Sequence, residues 1–143
     1  MHQVVLIFHQ SLIKIFLAVA VALVLDLLLV NLTLKPLVAR VRPYDLGIDL
    51  NLITHHPSDF SFPSGHTMVS FIAATILAMY NRKWGYIAFP VAALMGFTRL
   101  YLYVHFPTDV LAGAILGILA GIAVTLLMKK LFAFLERRYA LHL

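Results

Sequence analysis

The chain has 143 residues, 62% of them hydrophobic and only 12% charged, with a mean hydropathy of +0.95. A soluble domain carries roughly twice that charged share, so the composition excludes an ordinary soluble fold and indicates an integral membrane protein. The formal charge of +5 is spread over the ends of apolar runs, which excludes a nucleic-acid stripe, and the lack of cysteine excludes disulfide and thiolate chemistry.

In chain order, residues 12–34 form the first apolar segment, broken only by Lys14, Asp26 and Asn31. Its length fits the about 20 residues of a membrane helix. Apolar residues 4–8 either extend this helix or make a short interfacial turn. Met1-His2-Gln3 offers no basic n-region and no cleavage site, so a cleaved signal peptide is not expected. Residues 35–63 are one long polar connection punctuated by Pro36, Pro43, Gly47, Pro57 and Pro63. A second apolar segment spans 65–80, short for a full crossing, and a loop Asn81-Arg82-Lys83-Trp84 leads to a third over 85–103. The fourth runs over 107–128, where Gly113, Gly117 and Gly121 at i,i+4 spacing predict a small-residue face for close helix packing. A basic tail, 129–143, closes the chain.

The expectation is therefore all-α: a single membrane-embedded helical bundle over 1–143 with about four transmembrane helices and a core at 14–128. Lys14, Arg82, Lys83, Lys129, Lys130, Arg137 and Arg138 mark one side, with both termini, as cytoplasmic. The long loop and the turn at 100–107 then share the outer face. Lys35, Arg42, Ser64, Gly65, His66, Arg99, His105 and Asp109 all converge there.

Each member has a functional and a plainer reading. If 36–41 is helical, Lys35 and Arg42 lie about two turns apart on one face and approach one anion; alternatively they anchor to lipid headgroups. Ser64 is a natural N-cap for the second span. Gly65 permits close backbone approach, and His66 sits where a helix N-terminus attracts anions and a proton donor is useful. Arg99, in the outer third of an apolar segment, requires an anion or carboxylate partner. Asp109, four residues after His105, can hold one ring nitrogen and leave the other as nucleophile or base; the pair also reads as a structural hydrogen bond. A metal site from His55, His56, His66 and His105 with Asp45, Asp49 and Asp59 is the weaker alternative, because three basic residues would repel a cation. His55 and His56 read as loop residues, Arg40 as a basic contact or a headgroup anchor, and Asp26 has no assigned role.

These motifs resemble those of the type 2 phosphatidic acid phosphatases (PAP2), which share a core with vanadium haloperoxidases. The family pattern Lys-x6-Arg-Pro, Pro-Ser-Gly-His and Ser-Arg-x5-His-x3-Asp stands here as Lys35 to Arg42-Pro43, Pro63-Ser64-Gly65-His66 and Thr98-Arg99 to His105 to Asp109. Thr98 replaces the usual Ser and keeps its hydroxyl. The resemblance covers residues 14–128. It implies phosphohistidine chemistry without metal or other cofactor: His105 attacks, Asp109 orients it and His66 protonates the leaving group. Lys35, Arg42, Ser64, Gly65 and Arg99 hold the phosphoryl oxygens. The implied partner is a membrane lipid phosphate. Undecaprenyl diphosphate is the first substrate, and phosphatidylglycerophosphate and phosphatidic acid are the rivals. Membrane members usually have six spans; the two that precede the first motif are not in this sequence, so a compact form, a truncated product and completion as a homo-oligomer are all open. An inactive scaffold or lipid-binding remnant is the alternative of another class.

Overall fold

The structure is a computed structural model that describes residues 2–46 and 57–140. Asp49, His55 and His56 lie outside the described residues. Every regular element among the described residues is helical: α1 (His2–Asp26), a π-helical stretch (Leu27–Leu34), α2 (Lys35–Val38), a 3-10 turn (Pro43–Leu46), α3 (Gly65–Tyr80), α4 (Arg82–Tyr101) and α5 (Pro107–Ala140).

The first three elements form one continuous rod, so residues 4–8 extend the helix. In its π stretch the Lys35 N–H reaches back five residues to the Val30 carbonyl, and Thr33 Oγ1 donates to the Leu28 carbonyl at 2.8 Å. Pro36 follows immediately. Its ring has no N–H and crowds the carbonyl four residues earlier, a local reason for the wider turn. The rod ends at Ala39, whose φ of 47° is left-handed and whose N–H closes on the Lys35 carbonyl at 2.9 Å. Residues 36–41 are thus not one helix, and Lys35 and Arg42 do not share a helical face. Pro43 disfavours helical backbone at Arg42, and the turn at Ala39 brings Arg42 round instead.

α3 and α5 pack backbone to backbone. A Cβ added at Gly113 would lie 2.6 Å from the Ser64 carbonyl oxygen, and one at Gly117 would lie 2.5 Å from that of Met68. A Cβ at Gly121 would lie 2.7 Å from Thr75 Cβ, so the expected small-residue face is the α3–α5 seam. α1 closes the core with Ile15, Ala18 and Ala22, joined by Val30, against Met68, Ile72 and Ile76 of α3 and Val124 and Met128 of α5.

Two boundaries differ from the sequence reading. Asn81 accepts the Lys83 N–H at 3.0 Å as an N-cap, so the loop expected at 81–84 shrinks to Asn81. The basic tail is helical to Ala140, because no Gly or Pro interrupts residues 122–140 and Glu136 pairs with Lys14 at 2.8 Å.

By length and composition the segment Ser11–Leu46, which contains most of the rod, and Pro107–Arg138 of α5 can each cross a membrane. α3, with 16 residues, is shorter, roughly 24 Å against a hydrocarbon core of about 30 Å. α4 has 20 residues but carries Arg82, Lys83 and Arg99. Phe16, Leu32, Leu37, Ile87, Leu94, Leu111 and Leu127 face outward, as a helical bundle in lipid requires.

Candidate active site

At one end of the bundle, Lys35, Arg42, Gly65, His66, Arg99 and His105 line a single cavity of about 520 Å³. The expected convergence is therefore real in space. The remaining two candidates stand behind its wall: Ser64 and Asp109 are wholly buried. At the opposite end Lys14 pairs with Glu136, and Lys129 donates to the Met79 carbonyl at 3.0 Å.

His105 sits in the short connection between α4 and α5, only 5% exposed. Arg42 Nη1 lies 3.4 Å from its Nε2. A guanidinium only donates, so this contact favours a lone pair on Nε2 and a proton on Nδ1. Behind the ring, Nδ1 lies 3.4 Å from Ser61 Oγ and 3.7 Å from Asp109 Oδ2. Ser61 itself donates to Asp109 Oδ2 at 2.5 Å. The same oxygen accepts the Phe106 N–H at 2.9 Å, while Asp109 Oδ1 accepts from Arg40 Nη1 at 2.6 Å. Arg40 is further fixed by Thr108 Oγ1 at 2.6 Å and by the Phe106 ring, 4.1 Å below its guanidinium carbon. Asp109 thus orients His105 largely through Ser61. Burial first, then the Arg42 charge, push the His105 pKa down to about 4, against the opposing pull of Asp109. The ring is neutral at pH 7.

The cations are held by a residue the sequence reading left in the loop. Asp59 Oδ1 accepts from Arg42 Nη2 at 2.6 Å, and its Oδ2 pairs with Lys35. Arg42 also donates from Nε to the Asp59 carbonyl at 2.9 Å and from Nη1 to the Val104 carbonyl at 2.8 Å. Burial raises the Asp59 pKa, but hydrogen bonds and charge from Lys35 and Arg42 outweigh it and hold the carboxyl below its ordinary range. Arg99 has no carboxylate partner among the described residues. Among the described residues its guanidinium meets only the Thr98 hydroxyl, at 3.3 Å, and it lines the cavity.

Gly65 and His66 begin α3 and line the cavity, where a helix N-terminus favours an anion. Ser64 departs from expectation. It occupies the N-cap position without a side-chain cap hydrogen bond, because its Oγ turns inward to Thr67 Oγ1 at 2.9 Å. Its backbone N–H donates to the Asp109 carbonyl at 3.1 Å, which ties α3 to α5. Sequence reasoning missed Ser61, named Asp59 only as an alternative metal ligand and left Arg40 undecided. Ser61 stands two residues before Pro63, and Asp59 four before it, so proximity to the motif was the available signal.

A family model described as the PAP2 superfamily matches residues 12–133. The undecaprenyl-diphosphatase of Sulfolobus acidocaldarius is 36% identical over 84 residues, 58% of this chain and 41% of that protein. The crystal structure of a transmembrane PAP2 type phosphatidylglycerolphosphate phosphatase from Bacillus subtilis superposes with a TM-score of 0.61 and 34% identity, covering 81% of this chain and 58% of that one. Aquifex aeolicus LpxE gives a TM-score of 0.64 and 36% identity over 81% of this chain and 67% of that one. The chain spans between 41% and 66% of the length of the first curated relatives it matches.

Proposed function

The chain belongs to the PAP2 superfamily, and from that premise we propose that it is a metal-independent phosphatase of membrane lipid phosphates working through a phosphohistidine. The observation that carries this reading is the two-sided setting of His105. Its Nε2 faces a cavity lined by Lys35, Arg42, Arg99 and His66, and its Nδ1 is backed by Ser61 and Asp109.

In the first step the Nε2 lone pair attacks phosphorus. A P–N bond forms, the P–O bond to the lipid breaks, and His66 gives its proton to the departing oxygen. Asp109 stabilises the charge that develops on the imidazole. Lys35, Arg42, Arg99 and the first turn of α3 stabilise the charge on the phosphoryl oxygens. Water then attacks the phosphohistidine, His66 takes back a proton, and inorganic phosphate leaves.

The basic residues at the opposite end support an extracytoplasmic site with both termini in the cytoplasm. Undecaprenyl diphosphate is the first substrate to test, in line with the name of the Sulfolobus relative. Phosphatidylglycerophosphate is the second reading, favoured by a carboxyl group, Asp26, among the residues that line the cavity. The decisive assay is phosphate release by the purified chain from both lipids and from phosphatidate. Turnover should persist in EDTA and vanish in His105→Ala. Phosphate release by that variant would sink the mechanism, and no release by the wild-type chain from any of them would favour an inactive lipid-binding protein.

A further inference from the structure

Beyond Arg42 and Arg99 the cavity is lined by three residues of the first rod, Asp26, Asn31 and Lys35. Their alignment depends on the π stretch. Five residues make about 1.4 turns of α-helix, which would put Asn31 on another face from Asp26. The i→i+5 closure of a π-helix instead brings residues five apart into register, and such stretches often mark functional sites. Lys35 follows four residues later.

Asp26 is 6% exposed, and its Oδ1 has no hydrogen-bond partner among the described residues. A buried polar atom without a partner is costly, and in a membrane segment it points to a ligand. Chemistry narrows what that ligand carries. A hydrocarbon tail would leave Oδ1 unsatisfied. A second phosphate placed against Asp26 would face a carboxyl group. A neutral hydroxyl satisfies the carboxyl oxygen, and the Asn31 amide both donates and accepts toward it.

We propose that Asp26 and Asn31 form a second polar subsite that hydrogen-bonds a free hydroxyl on the alcohol carrying the scissile phosphate, selecting glycerol- or sugar-type lipid phosphates over those without one and so ranking phosphatidylglycerophosphate above undecaprenyl diphosphate. The subsite rests on the phosphatase reading for the position of that phosphate. Asp26 lies nine residues before Lys35, roughly 13 Å down the rod if measured at helical rise, and the long lysine side chain covers part of that span.

The test separates recognition from turnover. In a His105→Ala background, equilibrium binding is measured for dioctanoyl phosphatidylglycerophosphate, whose leaving alcohol keeps a free glycerol hydroxyl, and for dioctanoyl phosphatidate, whose leaving alcohol has none. Adding Asp26→Ala should weaken the first about tenfold, the range of one hydrogen bond to a charged group, and the second less than twofold. Asp26→Asn, which keeps a hydrogen-bonding head, should restore most of the loss. Equal weakening of both lipids, or none, overturns the subsite. Hydroxyl-dependent binding by a chain that in its wild-type form releases no phosphate would keep the subsite and sink the phosphatase reading alone.

Discussion

Ser61 donates its hydroxyl to Asp109 Oδ2 at 2.5 Å, and both side chains are wholly buried. The carboxylate is 3.7 Å from His105 Nδ1, too far for a good direct hydrogen bond. Ser61 therefore completes the link between acid and imidazole. Ser61→Ala should lower kcat by about tenfold or more while KM changes little, as expected when only ring orientation suffers. Steady-state kinetics check this; an unchanged kcat would mean that Asp109 reaches the ring unaided.

Asp59 occupies two cations that the proposed mechanism assigns to the phosphate. It pairs with Lys35 and Arg42, and its own side chain is half exposed. Asp59→Asn removes a competing anion, so product inhibition by inorganic phosphate should strengthen about threefold to tenfold, within the range of one charge-assisted contact. A weaker inhibition would show instead that the carboxylate's main task is to hold Arg42 in place.

The pH dependence follows from His105. Burial and the Arg42 charge set its pKa at about 4, below the about 6.5 of a free imidazole. His105 stays unprotonated across that interval, so under the proposed phosphohistidine mechanism the acid limb of kcat/KM should fall near pH 4. Folding shows the same sign. The unfolded chain takes up the proton first, so stability is full above about 6.5 and falls as pH drops through the folded value of about 4. Thermal melts over this window measure it, and Arg42→Gln should move the acid limb upward.

Glycine positions should divide by the space around them. A Cβ at Gly117 would sit 2.5 Å from the Met68 carbonyl oxygen, whereas one at Gly65 meets nothing nearer than Lys35 Nζ at 4.0 Å. Gly117→Ala should cost about 1–3 kcal/mol through overpacking, read as a lower melting temperature. Gly65→Ala should leave stability nearly unchanged.

The helices, the glycine seam and the convergence of His66, Arg99 and His105 were legible in the sequence because membrane burial makes polar interruptions informative. Ser61 was not, since a serine in a loop rich in Pro and Asp carries no periodic signal. The pairing of Asp59 with Lys35 and Arg42 was equally hidden. Its importance comes from the turn at Ala39, where a left-handed residue with no glycine to announce it swings Arg42 toward the 57–61 segment. Ser64 was read as a cap from its position alone, and only packing shows its hydroxyl spent on Thr67. The length of α5 was underestimated because lysine and arginine suggested a tail, although both are good helix formers.

The Ser64 N–H on the Asp109 carbonyl, beside the contact at Gly113, welds the start of α3 to the start of α5. His66, at the start of α3, and Asp109, at the start of α5, consequently belong to one tied block. Lys35 and Arg42 come from a separate piece of chain, joined to that block by side-chain contacts and bent by a π turn. On the proposed phosphatase reading, substrate redesign starts in residues 26–46, which bring Asp26, Asn31, Lys35 and Arg42 to the cavity.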